Sequence, residues 1–439
     1  MYLSKNEIIT LDENEKMEVV SLLGSGGQGE VYLVKINDKE FALKVYIETP
    51  SDEFVENLRN NISRGEPCST FIWPKQLITF DDGHVGYLMD LRPNNYKSFI
   101  SYLNGKEVFK NQATLIRWCI ELCASFKKLH EFGFSYQDLN DGSFFLDPDT
   151  GDLLICDNDN VTANKCNLGV LGKMRYMAPE IVRGEQEPDI HSDRFSLAVI
   201  LFMALCVGNP YEGERLKEYD IIDDEAEMEL FGTNPIFVYH KTNKTNRPIR
   251  GYHTSLIKRW PLIPIYIKEA FHRCFVDGLV NRENERTTEI EWIKLLSKYR
   301  DELTTCTCGR EYKYGLEENH PVEACPFCKN KKPLRLSLDI NKYHIVLEPG
   351  KEIYRVHLDK YSTAYNEKIG EVVRSKNNPN IWGIKLEHNG VTLEDSYQNS
   401  KSIEENKVIP IIQDTTIIFN ENLKATIKLI ETKEKENGR

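Results

Sequence analysis

Leu23-Gly24-Ser25-Gly26-Gly27-Gln28-Gly29-Glu30-Val31-Tyr32 sets the pattern G-x-G-x-x-G between two strand-like runs. A dinucleotide-binding turn needs a helix directly after its glycines, and Glu30 to Ile36 reads as a strand instead. Strand, glycine turn and strand suit a lid that brings backbone N–H groups over phosphates. Gly24, Gly26 and Gly29 then allow close approach, and Val31 covers one face of an adenine ring. The glycines alone fit any hairpin with positive φ just as well. The next strand, Lys39 to Tyr46, follows Asn37-Asp38, a dipeptide suited to a tight hairpin, and carries Phe41-Ala42-Leu43-Lys44-Val45. A lysine midway along an apolar strand is costly to bury without an anion beside it. Lys44 is either a phosphate ligand or a snorkelling surface lysine, and the glycine spacing upstream favours the phosphate.

Outward from this strand the pattern changes period. Ser51 suits an N-cap, Glu53 and Glu56 fall in the first turns, and Phe54, Val55, Leu58 and Ile62 define an apolar helical face with Asn61 near its edge. From Gln112 to Leu303 helical spacing dominates, as in Leu115, Cys119, Leu122 and Phe126. The longest apolar run, Phe195 to Gly208, has 14 residues. That is short of the roughly 20 that span a bilayer, so it is expected to be a buried core helix. Few strands first and many helices later imply an α+β body with two lobes. Beyond Pro333, short β-rich runs recur: His344 to Leu347, Ile353 to His357, Ile381 to Leu386, Val408 to Ile412, Thr415 to Phe419 and Ala425 to Ile430. They predict an all-β sandwich or barrel, with His388-Asn389-Gly390 as a hairpin turn.

The chain has 439 residues, enough for two or three domains, and an ordinary globular composition of 40% hydrophobic and 28% charged residues. Acidic residues outnumber basic ones, 68 to 56, which disfavours generic adhesion to nucleic acid or anionic membrane. Leu334 to Arg439 holds 16 of each sign, so the whole surplus of 12 negative charges lies upstream. Met1 to Lys16 lacks an apolar block, and no secretory signal is expected. The only low-complexity stretch is the charged tail Glu431 to Arg439.

Further along, Phe134-Ser135-Tyr136-Gln137-Asp138-Leu139-Asn140-Asp141-Gly142-Ser143-Phe144-Phe145-Leu146 resembles the catalytic loop of protein kinases, with Asp138 at the catalytic aspartate. Leu153 to Asp159 resembles the strand entering the magnesium-binding D-F-G, and Met177-Ala178-Pro179-Glu180 matches A-P-E. His191 to Leu197 resembles the entry to the central helix, with Asp193 as its aspartate. Arg286 lies where the family pairs an arginine with Glu180. The phosphate loop and Lys44 complete the order over some 300 residues. The resemblance implies ATP and Mg²⁺ as cofactors. It places Met89, Asp90 and Arg92, within Gly86 to Pro93, at the gatekeeper and hinge, and Ala42 and Phe145 around adenine.

The departures are equally informative. Tyr136 and Gln137 replace the histidine and arginine before the aspartate, so no counter-ion awaits a phosphorylated activation loop. The lysine two residues after the aspartate is Asn140, the second magnesium ligand is Ser143, and D-F-G has become Asp157-Asn158-Asp159. Asp157 keeps the metal carboxylate, while Ser143 and Asp159 are candidates to complete the site. The glutamate expected to pair with Lys44 is hard to assign. Glu53 and Glu56 both lie opposite the apolar face and are expected to be solvated, with Glu56 the better candidate if either pairs with it. D-L-N in the loop and D-x-D after it look like an atypical bacterial group, similar to kinases found beside von Willebrand-type and phosphatase partners in tellurite-resistance gene sets.

Cys306-Thr307-Cys308 and Cys325-Pro326-Phe327-Cys328 form C-x-C…C-x₂-C. Four thiolates on two tight turns match the S₄ site of a small structural zinc ribbon; His320 could substitute as a ligand but is expected to be exposed on the loop. Two disulfides are the alternative, and a reducing cytoplasm argues against them. The β-rich end faintly resembles a forkhead-associated domain through Ile369-Gly370-Glu371-Val372, but lacks that family's phosphothreonine-reading residues. A docking or rigidifying module is the simpler reading.

These observations predict a two-lobed protein-kinase-like fold over residues 1–302 (lobes about 1–90 and 91–302), a zinc ribbon over 303–333 and a β-sandwich over 334–439. The expected function is cytoplasmic transfer of the ATP γ-phosphoryl group to Ser/Thr hydroxyls of a protein substrate, with no nucleic-acid or membrane partner. The open alternatives are a nucleotide-binding pseudokinase that scaffolds partners, and a kinase fold transferring another group, such as a nucleotidyl group.

Overall fold

The computed structural model describes residues 2–12, 15–169, 172–315, 324–359 and 361–430. His320 and the charged tail Glu431 to Arg439 lie outside them. The chain divides into two compact units. One comprises Met1–Phe109, Leu122–Trp260 and Glu269–Ile290, the other Lys110–Glu121, Pro261–Lys268 and Glu291–Arg439. No helix among the described residues is long and apolar enough to cross a membrane.

The first unit opens with an antiparallel sheet built from β1 (Ile8–Asp12), β2 (Glu15–Ser25), β3 (Gly29–Ile36), β4 (Lys39–Tyr46), β5 (Gln76–Thr79) and β6 (Val85–Asp90), in the order β1-β2-β3-β4-β6-β5. Asn37 and Asp38 both take positive φ, 48° and 63°, between partners Ile36 and Lys39. That is the two-residue turn whose twist matches paired strands. Met17, Val19, Val34, Leu43 and Val45 bury one face of the sheet. Period-two alternation therefore sends Ala42, Lys44 and Tyr46 to the other face. Gly29 admits no side chain, because a Cβ there would stand 2.5 Å from the Val45 carbonyl oxygen.

Helix α1 (Asp52–Arg64) follows, and the Ser51 hydroxyl caps it by accepting from the Phe54 N–H. Asp52 and Glu53 suit the positive end of the helix dipole. Phe54 and Leu58 pack with Tyr46, Val85 and Tyr87, each burial stabilising by roughly 2 kcal/mol.

The helical remainder of this unit is organised by the helix Ile190–Cys206, buried on nearly every side as its apolar run from Leu197 to Cys206 demands. Asp189 caps it by accepting from the His191 and Ser192 N–H groups, while Ser192 Oγ accepts from the Asp189 N–H. In its first turn, buried Asp193 accepts from the Tyr136 backbone N–H at 2.7 Å and faces His130 Nε2 at 3.0 Å. His130 Nδ1 lies 2.9 Å from Glu289, which also takes Arg194 at 2.8 Å. Burial pulls the imidazolium down, but its bonds to Asp193 and Glu289 outweigh burial and raise its pKa to about 9. Its stabilising contribution is complete below an ordinary histidine value of about 6.5 and is lost as pH climbs toward 9. Urea midpoints of the parent should therefore fall between pH 7 and 9. In His130→Gln that slope should flatten, and an unchanged slope would show that this triad does not set the pH response.

In the second unit the hairpin Leu303–Thr305/Glu311–Lys313 presents Cys306 and Cys308. Two antiparallel sheets follow. One orders Tyr343–Leu347, Leu336–Ile340, Leu423–Leu429, Thr416–Asn420, Val391–Glu394 and Ser400–Ile403; the other orders Glu352–Tyr354, Lys368–Arg374, Trp382–Leu386 and Ile409–Pro410. Two readings of this region need correction. His388-Asn389-Gly390 makes no hairpin, because Trp382–Leu386 and Val391–Glu394 belong to different sheets and the turn carries the chain across. The run Ile353 to His357 stops as a strand at Tyr354. Arg355–Leu358 forms one helical turn, in which His357 Nδ1 accepts from the Tyr354 N–H.

Candidate active site

Lys44 sits on β4 opposite Val31 of β3 and Tyr87 of β6, and is only 5% exposed. Its Nζ lies 2.7 Å from Asp159 Oδ2 and 3.9 Å from Asp157 Oδ1. Tyr46, two residues on and on the same face, donates its hydroxyl to Asp159 Oδ2 at 2.6 Å. Desolvation works against the ammonium, yet the two carboxylates raise its pKa, so it stays charged. Burial likewise pushes the Asp159 carboxyl up, but Lys44 outweighs it and the carboxyl titrates below its ordinary range. The snorkelling reading of Lys44 is thereby set aside.

The partner of Lys44 is Asp159 and not Glu56. Glu56 is exposed, 3.5 Å from Arg59. Its position opposite Phe54 and Leu58 turns it away from the sheet. The inward polar residue of α1 is Asn61, which with Asn57 donates to the Val161 carbonyl at 2.7 and 2.9 Å. Two amides thus tie α1 to the chain just past Asp159. Tyr46, Asn57 and Asn61 are site residues that sequence reasoning missed. Only Asn61, at the edge of the apolar face, left a trace of its role.

Asp138 follows Gln137, whose φ of 70° is sparsely populated outside glycine. The loop locks itself: Asn140 Nδ2 donates to Asp138 Oδ1 at 3.0 Å, and Asn140 Oδ1 accepts from the Gly142 N–H at 2.9 Å. Partial burial raises the Asp138 pKa, against the lowering effect of Asn140 and Lys173. The Gln137 amide donates to Thr162 Oγ1 and to the Cys166 carbonyl. Thr162 and Tyr176, the only hydroxyl residues between Asp157 and Glu180, are both about 1% exposed.

Asp157 adopts a left-handed conformation (φ 56°, ψ 45°) with its carboxylate half-exposed, 54% of the side chain reaching solvent. Desolvation by the surrounding protein and the neighbouring Asp159 and Asp138 raise its pKa, with Lys44 opposing. Asn158 turns inward and donates to the Ile72 and Ile155 carbonyls. Ser143 is buried, its N–H donating to the Asn140 carbonyl and its carbonyl accepting from Cys156. Asp159 Oδ1 is buried with no hydrogen-bond partner among the described residues. A half-exposed carboxylate beside one unengaged carboxylate oxygen is a hard-oxygen set that fits Mg²⁺.

Around the sheet edge, Ala42 pairs with Met89 and Phe41 with Asp90. Asp90 bonds Lys75 at 2.6 Å through its side chain. Arg92 donates to the Tyr96 carbonyl and stacks 4.3 Å above the Phe145 ring. Gly24 and Gly26 are exposed, and the Gly26 N–H closes the turn on the Gly29 carbonyl at 2.9 Å. Away from this cluster, Arg286 is buried and makes a two-pronged pair with Glu180 at 2.7 and 2.8 Å.

In the second unit the four cysteine sulfurs all lie within 4.8 Å of one another. Cys306 and Cys328 approach to 3.5 Å, Cys308 and Cys325 to 3.9 Å, and none forms a disulfide. Zinc–sulfur bonds of about 2.3 Å in a tetrahedron give sulfur edges of about 3.8 Å, so the donors fit that ion.

The sequence profile of the protein kinase domain family matches residues 17–288, more than half of the chain. The chain belongs to that family. Rat cGMP-dependent protein kinase 2 is 26% identical over 220 residues, covering 47% of this chain and 28% of the relative. The serine/threonine-protein kinase sck2 of Schizosaccharomyces pombe is 26% identical, covering 45% and 32%. The serine/threonine-protein kinase AtPK2/AtPK19 of Arabidopsis thaliana is 25% identical, covering 50% and 48%. The chain thus spans less than half the length of each of these relatives.

Proposed function

We propose that this chain transfers the γ-phosphoryl group of ATP to serine or threonine hydroxyls of a protein substrate. The observation that carries this reading is the convergence of charged Lys44 on Asp157 and Asp159, with the Asp138 carboxyl within electrostatic reach of both Lys44 and Asp159. Lys44 and the turn from Gly24 to Gly29 hold the phosphates, while Ala42, Val31, Met89, Asp90, Arg92 and Phe145 frame the base. Asp157 would hold Mg²⁺, with Asp159 Oδ1 and Ser143 as the further oxygens, and the ion supplies charge neutralisation on the phosphates. Asp138 orients the acceptor hydroxyl and takes its proton. Incubation with γ-labelled and α-labelled ATP tests this. Label should pass only from the γ position, whereas transfer from the α position would indicate nucleotidyl chemistry and no transfer a binding protein.

Gln137, tethering Thr162 and the Cys166 carbonyl, supports a site that is active without a phosphate on this segment. The six-stranded sheet and the helical remainder are read as two lobes, about 1–90 and 91–302. The cysteine cluster is read as a structural zinc ribbon over 303–333 and the two sheets as a sandwich over 334–439. Seven cysteines outside that cluster, none in a disulfide, support a reducing, cytoplasmic setting. The bacterial group, with its von Willebrand-type and phosphatase partners, is carried by D-L-N and D-x-D alone.

Zinc makes a direct test. Elemental analysis should find close to one zinc per chain, and Cys325→Ser should make the stretch from Cys306 to Pro333 sensitive to protease while ATP affinity is kept. Protein free of zinc, with the stretch still resistant, would overturn the ribbon.

A further inference from the structure

Phosphoryl transfer leaves negative charge on the moving group, and a fixed cation beside the catalytic carboxylate is the usual way to hold it. The residue two positions after Asp138 is the neutral Asn140. Both ends of its amide are engaged inside the loop, by Asp138 Oδ1 and the Gly142 N–H. It has no charge to offer. The chain returns to this point at Gly172, where a Cβ would lie 3.1 Å from Asp138 Oδ1 and 3.5 Å from the Gln137 carbonyl oxygen. Lys173 comes next. Its backbone is extended, and its carbonyl accepts from the Tyr176 N–H at 3.0 Å. The side chain is 58% exposed, with Nζ 3.5 Å from Asp141 Oδ1. An exposed pair of that length holds a lysine only weakly, leaving the ammonium free to move toward a phosphate.

We propose that Lys173 is a catalytic cation of this site, contacting the transferring phosphoryl group from the segment that packs against Asp138, in place of the charge that Asn140 lacks. In the step served, the acceptor oxygen bonds to the γ-phosphorus as the β,γ-bridging P–O bond breaks. ADP departs with the electron pair, and the hydroxyl proton passes to Asp138. Lys173 acts on the Asp138 carboxyl more strongly than Lys44 does, which agrees with this placement. The closeness of Gly172 explains how an activation-segment residue reaches the reacting atoms at all.

This inference rests on the phosphoryl-transfer reading, and the experiment separates the two. The full chain is assayed with γ-labelled ATP and a degenerate serine/threonine peptide mixture. Lys173→Ala should lower kcat about 100-fold with the KM for ATP within about 3-fold. Lys173→Arg should retain at least about a tenth of the parent kcat, since it keeps the charge. Adding Asn140→Lys to Lys173→Ala should recover about 10-fold by returning a cation from the other side. Asp141→Asn, which frees Lys173 without removing it, should stay within about 3-fold of the parent. Parent kcat in Lys173→Ala overturns the inference. So does a loss in Asp141→Asn equal to that in Lys173→Ala with no recovery from Lys173→Arg or Asn140→Lys, because that pattern marks a structural ion pair. A parent chain that transfers no label overturns the phosphoryl-transfer reading itself, and this inference with it.

Discussion

Replacing Asp138 by alanine is expected to lower γ-phosphoryl transfer by about 1,000-fold while changing ATP affinity by less than about 3-fold. The reason is positional. Asp138 is fixed through its neighbours, since Asp193 accepts the Tyr136 N–H and Asn140 donates to the Asp138 carboxylate. None of these contacts reaches Lys44 or the glycine turn. Loss of the carboxylate therefore removes the proton acceptor and leaves the phosphate clamp intact. Asp157→Ala is the contrasting variant. It removes the half-exposed carboxylate nearest Lys44 after Asp159, so Mg²⁺-dependent ATP binding should weaken together with turnover. Titration of both variants with a fluorescent ATP analogue, beside the labelled assay, separates the roles. Full activity in Asp138→Ala would refute the assignment of the base, and unchanged Mg²⁺ dependence in Asp157→Ala would refute that of the metal carboxylate.

Arg286→Ala is expected to destabilise the first unit by about 3–5 kcal/mol. Arg286 is fully enclosed and donates to both oxygens of Glu180, to the Gly278 carbonyl and to the His191 carbonyl. Burial on its own would raise the Glu180 pKa, and Arg286 instead brings it below the ordinary range. Truncating the arginine strands a carboxylate in a low-dielectric setting, which costs more than the pair contributes while intact. The double variant Arg286→Met, Glu180→Leu should lose less than Arg286→Ala alone, since it leaves no unpaired charge. Urea unfolding followed by tryptophan fluorescence measures both. A loss under about 1 kcal/mol in Arg286→Ala would show that the pair is compensated by its surroundings.

Much of this was legible because local chemistry and tertiary demand agree. Asn37-Asp38 is a hairpin turn in any sheet that twists, Ser51 caps whatever helix follows it, and an unbroken apolar run such as Leu197 to Cys206 has nowhere to go but the interior. Glu56 is solvated, as its place opposite the apolar face implies, and its candidacy as the lysine's partner falls because a side chain there cannot reach a buried lysine, whatever its charge. His388-Asn389-Gly390 was misread because a turn's residues specify its bend, whereas sheet membership depends on which strand edge is free when the chain arrives. His357 fell into a strand reading because apolar spacing over five residues does not separate an extended segment from one helical turn.

The sequence by itself determined that glycine turn, strand lysine, Asp138, Asp157, A-P-E and Arg286 occur in the order of a protein kinase domain, and that four cysteines are spaced for one metal. These are statements about residue type and spacing, which the chain carries without folding. Tertiary structure alone decided that Asp159 holds Lys44, that two asparagines anchor α1, that Gln137 grips Thr162, and that Gly172 brings Lys173 toward Asp138. Each is a meeting of residues between 25 and 115 positions apart, or a close approach of two backbones. Such meetings are set by the packing of whole elements against one another, and no local pattern records them.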